Sequence, residues 1–170
     1  MTGPYVIEPL GSSHDRRGFA CGVEALDRYF REQVTQDIRR HVTNCFVAVD
    51  AAGVVAGYYT FAATSLPMAE LAADEVKRLP RYPLLPAALI GRLAVSEQHG
   101  KQGLGAAFIV DAVARTLRAE PAIFALIVDA KEDAAVRFYM HLGFRAFTSR
   151  PMSLFLPAAE AQRRLAAPRR

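Results

Sequence analysis

At 170 residues the chain is long enough for one domain with a full hydrophobic core and too short for two of ordinary size. A composition of 52% hydrophobic and 22% charged residues excludes a disordered polymer, and a formal charge of +4 suits polyanionic partners without specifying one. Cys21 and Cys45 are the whole cysteine content, with no CxxC pair or spaced His/Cys cluster, which argues against a disulfide framework or a zinc site and for a reducing compartment.

The N-terminus lacks the charged start and apolar stretch of a secretory signal, and no apolar run approaches the roughly 20 residues a bilayer-spanning helix requires. A soluble cytoplasmic protein with no membrane partner is expected. Residues 5–9 read as a short strand. From Gly22 to about Arg40 the period is helical, with Val23, Leu26, Tyr29, Phe30, Val34 and Ile38 recurring among charges. Strands at 46–49 and 54–63, joined by Asp50-Ala51-Ala52-Gly53, make a hairpin signal. Residues 66–86 hold Pro67, Pro80, Pro83 and Pro86 and read as an ordered loop with a short helix around 72–78, either a substrate-facing loop or a plain connector.

Residues 88–95 read as one buried strand. A glycine-rich turn follows, then a helix from Gly103 to about Ala119 with Leu104, Ala107, Phe108, Ala112 and Leu117 on its apolar side. The all-apolar run 123–128 reads as a strand covered on both faces. Residues 131–142 are helical, and Gly143 is placed to end them as a left-handed cap. Short strands follow at 144–147 and 152–156, and the basic tail 158–170 reads as a frayed helix. No repeat or linker interrupts the chain, so one α/β (α+β) domain over 1–170 is expected.

Between strand and helix stands Gly100-Lys101-Gln102-Gly103-Leu104-Gly105. The first amides of a helix are unpaired and sit at the positive end of its dipole, and missing Cβ atoms let an anion approach them. The Walker pattern fails because no Gly-Lys-Ser/Thr ends the loop, and the dinucleotide fingerprint fails because its third glycine position holds Phe108. What remains is a pyrophosphate cradle, with Lys101 an added charge, or merely a tight turn. Further on, Phe138 and Tyr139 are adjacent in a helix ahead of Gly143-Phe144, so that one can face the core and the other a cleft.

This order resembles the GCN5-related N-acetyltransferases (GNAT family), whose motif is Q/R-x-x-G-x-G/A after a central strand, with a later helix carrying a tyrosine in a Phe-Tyr…Gly-Phe string. Gly103 and Gly105 match the glycines and Tyr139 the tyrosine, while Gly100 replaces the family's Gln or Arg. Phe19-Ala20-Cys21-Gly22…Leu26-Asp27, Gly57-Tyr58-Tyr59, Leu79-Pro80-Arg81-Tyr82-Pro83, Ile90-Gly91-Arg92-Leu93-Ala94-Val95, Val128-Asp129-Ala130 and Leu154-Phe155-Leu156-Pro157 extend it to the GNAT toxins of bacterial toxin–antitoxin pairs.

The resemblance implies a mixed, mostly antiparallel sheet, splayed where the acetyl-CoA arm pairs with Leu93, Ala94 and Val95. It implies pyrophosphate contacts from Gly100, Lys101, Gln102, Gly103, Leu104, Gly105 and Ala106, and further cofactor contacts at Asp129, Ala134 and Phe138. No metal is implied. Tyr139 is the expected catalytic acid, because a phenol of pKa near 10 stays protonated and can donate to the departing CoA thiolate. Amides near Val95 are candidates to polarise the acetyl carbonyl. The group acetylates the α-amine of aminoacyl-tRNA, stops translation, and is neutralised by a ribbon-helix-helix antitoxin; a homodimer is expected.

No general base stands out, since Glu97 and His99 read equally as turn residues. A lysine amine near pKa 10.4 needs a base, whereas an α-amine near 8, lowered further by esterification, can react once held in line. Arg39, Arg40, Lys77, Arg78, Arg81, Arg92, Arg145 and Arg150 are candidates for RNA phosphates. Arg92 stands apart, as a charge inside an apolar strand that needs a partner when buried. The alternatives are an enzyme acting on a small or protein amine and an idle binding module, against which Tyr139 argues.

Overall fold

The computed structural model describes residues 4–166. In chain order the elements are β1 (Val6–Pro9), α1 (Glu24–Arg28), a π-helical turn (Tyr29–Gln33), α2 (Val34–Arg39), β2 (Asn44–Val49), β3 (Val55–Pro67), a 3₁₀ turn (Met68–Glu70) and α3 (Ala73–Val76). Then come β4 (Leu84–Ile90), β5 (Leu93–Val95), a second 3₁₀ turn (Glu97–His99), α4 (Leu104–Arg118), β6 (Ala125–Asp129), α5 (Asp133–His141), β7 (Arg145–Ala146), β8 (Ser153–Pro157) and α6 (Ala158–Ala166). They gather into two units, residues 1–62 with 91–112 and residues 63–90 with 113–170.

The first unit grows from the hairpin. Asp50 accepts hydrogen bonds from the amides of Ala52 and Val54, and Gly53 adopts a φ of 82°, so the chain reverses there. β2 pairs antiparallel with β3, β1 with β2, and β5 with β3. Cys45 and Val47 face a core of Phe19, Tyr29, Phe30, Val34 and Tyr58, in which Phe30 and Tyr58 stack with centroids 4.3 Å apart. On the other side of the pleat Phe46 meets Tyr59, which meets Phe108 of α4. Gly57 makes that close layering possible: a Cβ there would lie 2.7 Å from the Ala94 carbonyl and 2.9 Å from the Phe108 ring. Gly57→Val should therefore destabilise the chain by about 1–3 kcal/mol, read as a lower urea midpoint with an unchanged slope. A wild-type midpoint would contradict this packing.

In the second unit β4 pairs with β6 in parallel, and β6–β8 and β8–β7 are antiparallel. Leu66, Leu85, Ala87, Ile127, Phe147 and Phe155 share its core. The proline-rich stretch is pinned: the Met68 amide donates to the Pro83 carbonyl, the Thr148 amide to the Glu70 carbonyl, and Arg150 pairs with the Glu70 carboxylate. The strand pairs are mixed and mostly antiparallel, with helices beside them, as expected.

Four expectations need correction. The strand read at 88–95 is two strands, because the Arg92 amide donates to the Thr60 hydroxyl and its carbonyl accepts from the Thr60 amide, which turns β5 onto β3. The first helix shifts register through the π turn at Tyr29–Gln33. The hairpin strand continues to Pro67 and β4 begins at Leu84, so the loop is shorter than read. Leu117 is 37% exposed, and α4 buries Ile109 and Val113 instead. In the basic tail, α6 runs to Ala166, and the expectation for 167–170 lies outside the described residues.

Candidate active site

In the first unit, β5 leads into a stiff turn. Ser96 donates its amide to the Ala56 carbonyl and accepts the Gln98 amide on its hydroxyl, and the Glu97 amide donates to the Ala20 carbonyl. Lys101 and Gly103 then adopt left-handed φ values of 61° and 77°. For a residue with a Cβ, as at Lys101, this region costs roughly 1–2 kcal/mol. The first bond of α4 runs from the Ala107 amide to the Gly103 carbonyl at 3.0 Å. The amides of Leu104, Gly105 and Ala106 precede it and have no carbonyl within the helix to bond. A Cβ at Gly103 would meet nothing within 4 Å, so the approach to these amides is open on that side. The arrangement favours an anion, with Lys101 exposed beside it.

A polar chain supports the turn. The Tyr5 hydroxyl donates to the Gln102 side-chain oxygen, and the Tyr5 ring meets His99 edge-on at 5.9 Å. His99 Nε2 lies 3.0 Å from Asp50 Oδ2. The Asp50 carboxyl is held below its ordinary range, first by the Val54 amide and then by His99. His99 is thus tied to the hairpin rather than presented as a base, and its Nδ1 is buried with no hydrogen-bond partner among the described residues. Glu97 is exposed. Leu93, Ala94 and Val95 pair with Tyr59, Tyr58 and Gly57, and Ala94 is buried. Cys21, the less buried of the two thiols, is pushed up to about 11 by burial and then by Asp27, which removes it as a nucleophile at neutral pH.

In the second unit, Tyr139 is 5% exposed, between Phe138 and Phe144 at ring centroids 5.3 and 5.7 Å. Burial, and then the negative charge of Asp129, push its phenol up to about 12, so the proton stays on at neutral pH. Asp129 accepts from the Ser153 hydroxyl at 2.7 Å. Gly143, at φ 104°, ends α5 as expected and lets the Phe144 amide return to the Tyr139 carbonyl. Phe138 is half-buried and Ala134 exposed.

Among the basic residues, Arg39 and Arg40 are exposed at the end of α2, and Lys77, Arg78 and Arg81 are exposed beyond α3. Arg92 is half-buried and its partner is an aromatic face: the guanidinium lies 3.5 Å from the Tyr29 ring centroid, while the Tyr29 hydroxyl donates to Asp37. Arg145 is engaged by Glu75 and Glu160, and Arg150 by Glu70, so their charges are already matched and they leave the set of RNA candidates. Sequence reasoning held Gly57 only as part of the Gly57-Tyr58-Tyr59 string, without its packing role, and missed the Asp50–His99 and Tyr5–Gln102 contacts. The last two join residues far apart in the chain and carry no local signature. Among the described residues there is no group of three His, Cys, Asp or Glu able to hold a metal, and no helix long and apolar enough to cross a membrane.

The FR47-like protein family matches residues 84–152, a stretch that contains β5, the glycine turn and Tyr139. A tRNA-acetylating toxin of Mycobacterium tuberculosis is 30% identical over 164 residues, covering 95% of this chain and 97% of that protein. The solved structure of AtaT complexed with acetyl-methionyl-tRNAfMet superposes with a TM-score of 0.84 at 26% identity, over 95% of this chain and 99% of the other. AtaTR bound with AcCoA gives a TM-score of 0.79 at 25% identity, over 95% and 98%. With identity spread over nearly the full length of both proteins, the chain belongs to the family of GNAT toxins, the acetyltransferases that its glycine turn and tyrosine helix resemble.

Proposed function

We propose that this chain transfers acetyl from acetyl-CoA to the α-amine of aminoacyl-tRNA and so blocks translation, as the toxin of a toxin–antitoxin pair. The observation that carries the reading is the strand–turn–helix of the first unit, with Gly103 left-handed and open above the first amides of α4. The family match runs through both units, which supports reading 1–170 as one acetyltransferase domain.

The turn from Gly100 to Gly105, with Ala106, binds the pyrophosphate through main-chain amides, and Lys101 supplies charge that Gly100 lacks. Leu93, Ala94 and Val95 line the pantetheine arm, and Asp129, Ala134 and Phe138 make further cofactor contacts. Tyr139 donates its proton to the departing thiolate. The amine nitrogen attacks the thioester carbonyl, the carbon–sulfur bond breaks, and the amine proton is lost to water. No side chain is needed as base for an amine of low pKa. Arg39, Arg40, Lys77, Arg78, Arg81 and Arg92 contact RNA. A tRNA substrate places the protein in the cytoplasm, and we assign it a homodimeric state and a ribbon-helix-helix antitoxin as its neutralising partner.

A cell-free translation reaction tests this reading. Protein plus acetyl-CoA should stop synthesis, protein alone should not, and the antitoxin should restore it. Translation that continues with both present would refute the toxin role.

A further inference from the structure

The segment between β1 and α1 folds beside the π turn and leaves a cleft of about 500 Å³ in the first unit. Two half-buried arginines line it. Arg16 Nη1 donates to the Phe30 carbonyl at 2.6 Å, and its guanidinium also lies over the Phe30 ring. Arg31 Nη1 donates to the Phe19 carbonyl at 3.1 Å. Main-chain oxygens fix these guanidinium planes without cancelling their charge. Glu24 stands 3.8 Å from Arg31 with its side chain 68% exposed, and Glu32 is exposed on the cleft itself, so water screens both carboxylates and the lining keeps a net positive charge. Arg17, by contrast, is spent on Asp15, with two hydrogen bonds of 3.0 Å. Ser12 and Ser13 are exposed on the same cleft and bring two hydroxyls.

A pair of fixed guanidinium forks beside two hydroxyls suits a tetrahedral oxyanion better than a planar carboxylate, because its oxygens are reached from several directions at once. Resting on the RNA reading above, we propose that this cleft takes a backbone phosphate of the tRNA, at Arg16 and Arg31 with Ser12 and Ser13 as further donors. None of the four belongs to the residues assigned to RNA above. Their task is to fix how the substrate lies and not to take part in acetyl transfer.

The test compares the wild type with Arg31→Gln and with a Ser12→Asp/Ser13→Asp double variant, which sets negative charge in the cleft at exposed positions and spares the packing. Binding of fluorescent uncharged tRNA is measured across a salt series. Each variant should weaken binding about tenfold, and Arg31→Gln should lower the log–log salt slope by about one. The KM for charged tRNA should rise while kcat, the KM for acetyl-CoA and the rate on a 3′-aminoacyl adenosine stay at wild-type values. Unchanged tRNA affinity and slope in both variants would overturn the proposal, as would a wild type that binds no tRNA. A loss confined to antitoxin binding would also overturn it, assigning the cleft to an acidic peptide. Failure of the functional reading looks different: the wild type then acetylates no charged tRNA, and the binding series still decides the cleft.

Discussion

Tyr139→Phe should lower kcat by about 10²–10⁴-fold, the usual contribution of a positioned general acid. The substitution removes only the hydroxyl and keeps the ring against Phe138 and Phe144, so the melting temperature and the affinity for acetyl-CoA should stay close to wild type. The phenol has an environment suited to the task, because burial and Asp129 push it up to about 12 and keep it protonated. The sign follows: a raised pKa keeps the donor form populated as pH rises, so this group should cause no fall in rate below about pH 10. Single-turnover kinetics with saturating acetyl-CoA read the effect without product release. An equally active phenylalanine variant would mean that water or another group supplies the proton.

Gly103→Val should abolish most of the stabilisation that acetyl-CoA gives. A ligand at 100 times its dissociation constant stabilises the folded state by about 2.7 kcal/mol, and a branched side chain above the α4 amides would block the approach of the pyrophosphate. The variant also forces a β-branched residue to a φ of 77°, costing roughly 1–2 kcal/mol before any ligand is added. Gly103→Asn separates the two effects, since asparagine tolerates left-handed backbone while still covering the amides. The expected pattern is a lower melting temperature without ligand for valine alone, and a lost ligand response for both. A full acetyl-CoA response in either variant would place the pyrophosphate elsewhere.

The features most legible in the sequence were those whose cause is local. The Asp50–Gly53 turn, the glycine turn before α4 and the Gly143 cap each depend on residues with a particular backbone freedom, and those are visible as letters. Tyr139 was legible as a role only through the family string, since hydropathy alone reads Phe138-Tyr139 as core, and Tyr139 is indeed buried. The break between β4 and β5 was hidden because residues 88–95 are apolar except at Arg92, and the cause of the break is Thr60, far away in the chain. The π turn was hidden for a different reason: Phe30, Val34 and Ile38 keep a spacing of four, which fits an uninterrupted α-helix equally well. Arg145 and Arg150 show the limit for charge: a basic residue reads as a phosphate contact until the carboxylates of Glu70, Glu75 and Glu160 are found beside it.

The central claim is tested most directly by incubating the protein with labelled acetyl-CoA and charged tRNA, then hydrolysing the ester and identifying the released amino acid. The account predicts label on the α-nitrogen of the amino acid, none on uncharged tRNA, and little on free amino acids or polyamines offered at equal concentration. Label on the free amines with none on the aminoacyl ester would keep the acetyltransferase and contradict tRNA as its substrate.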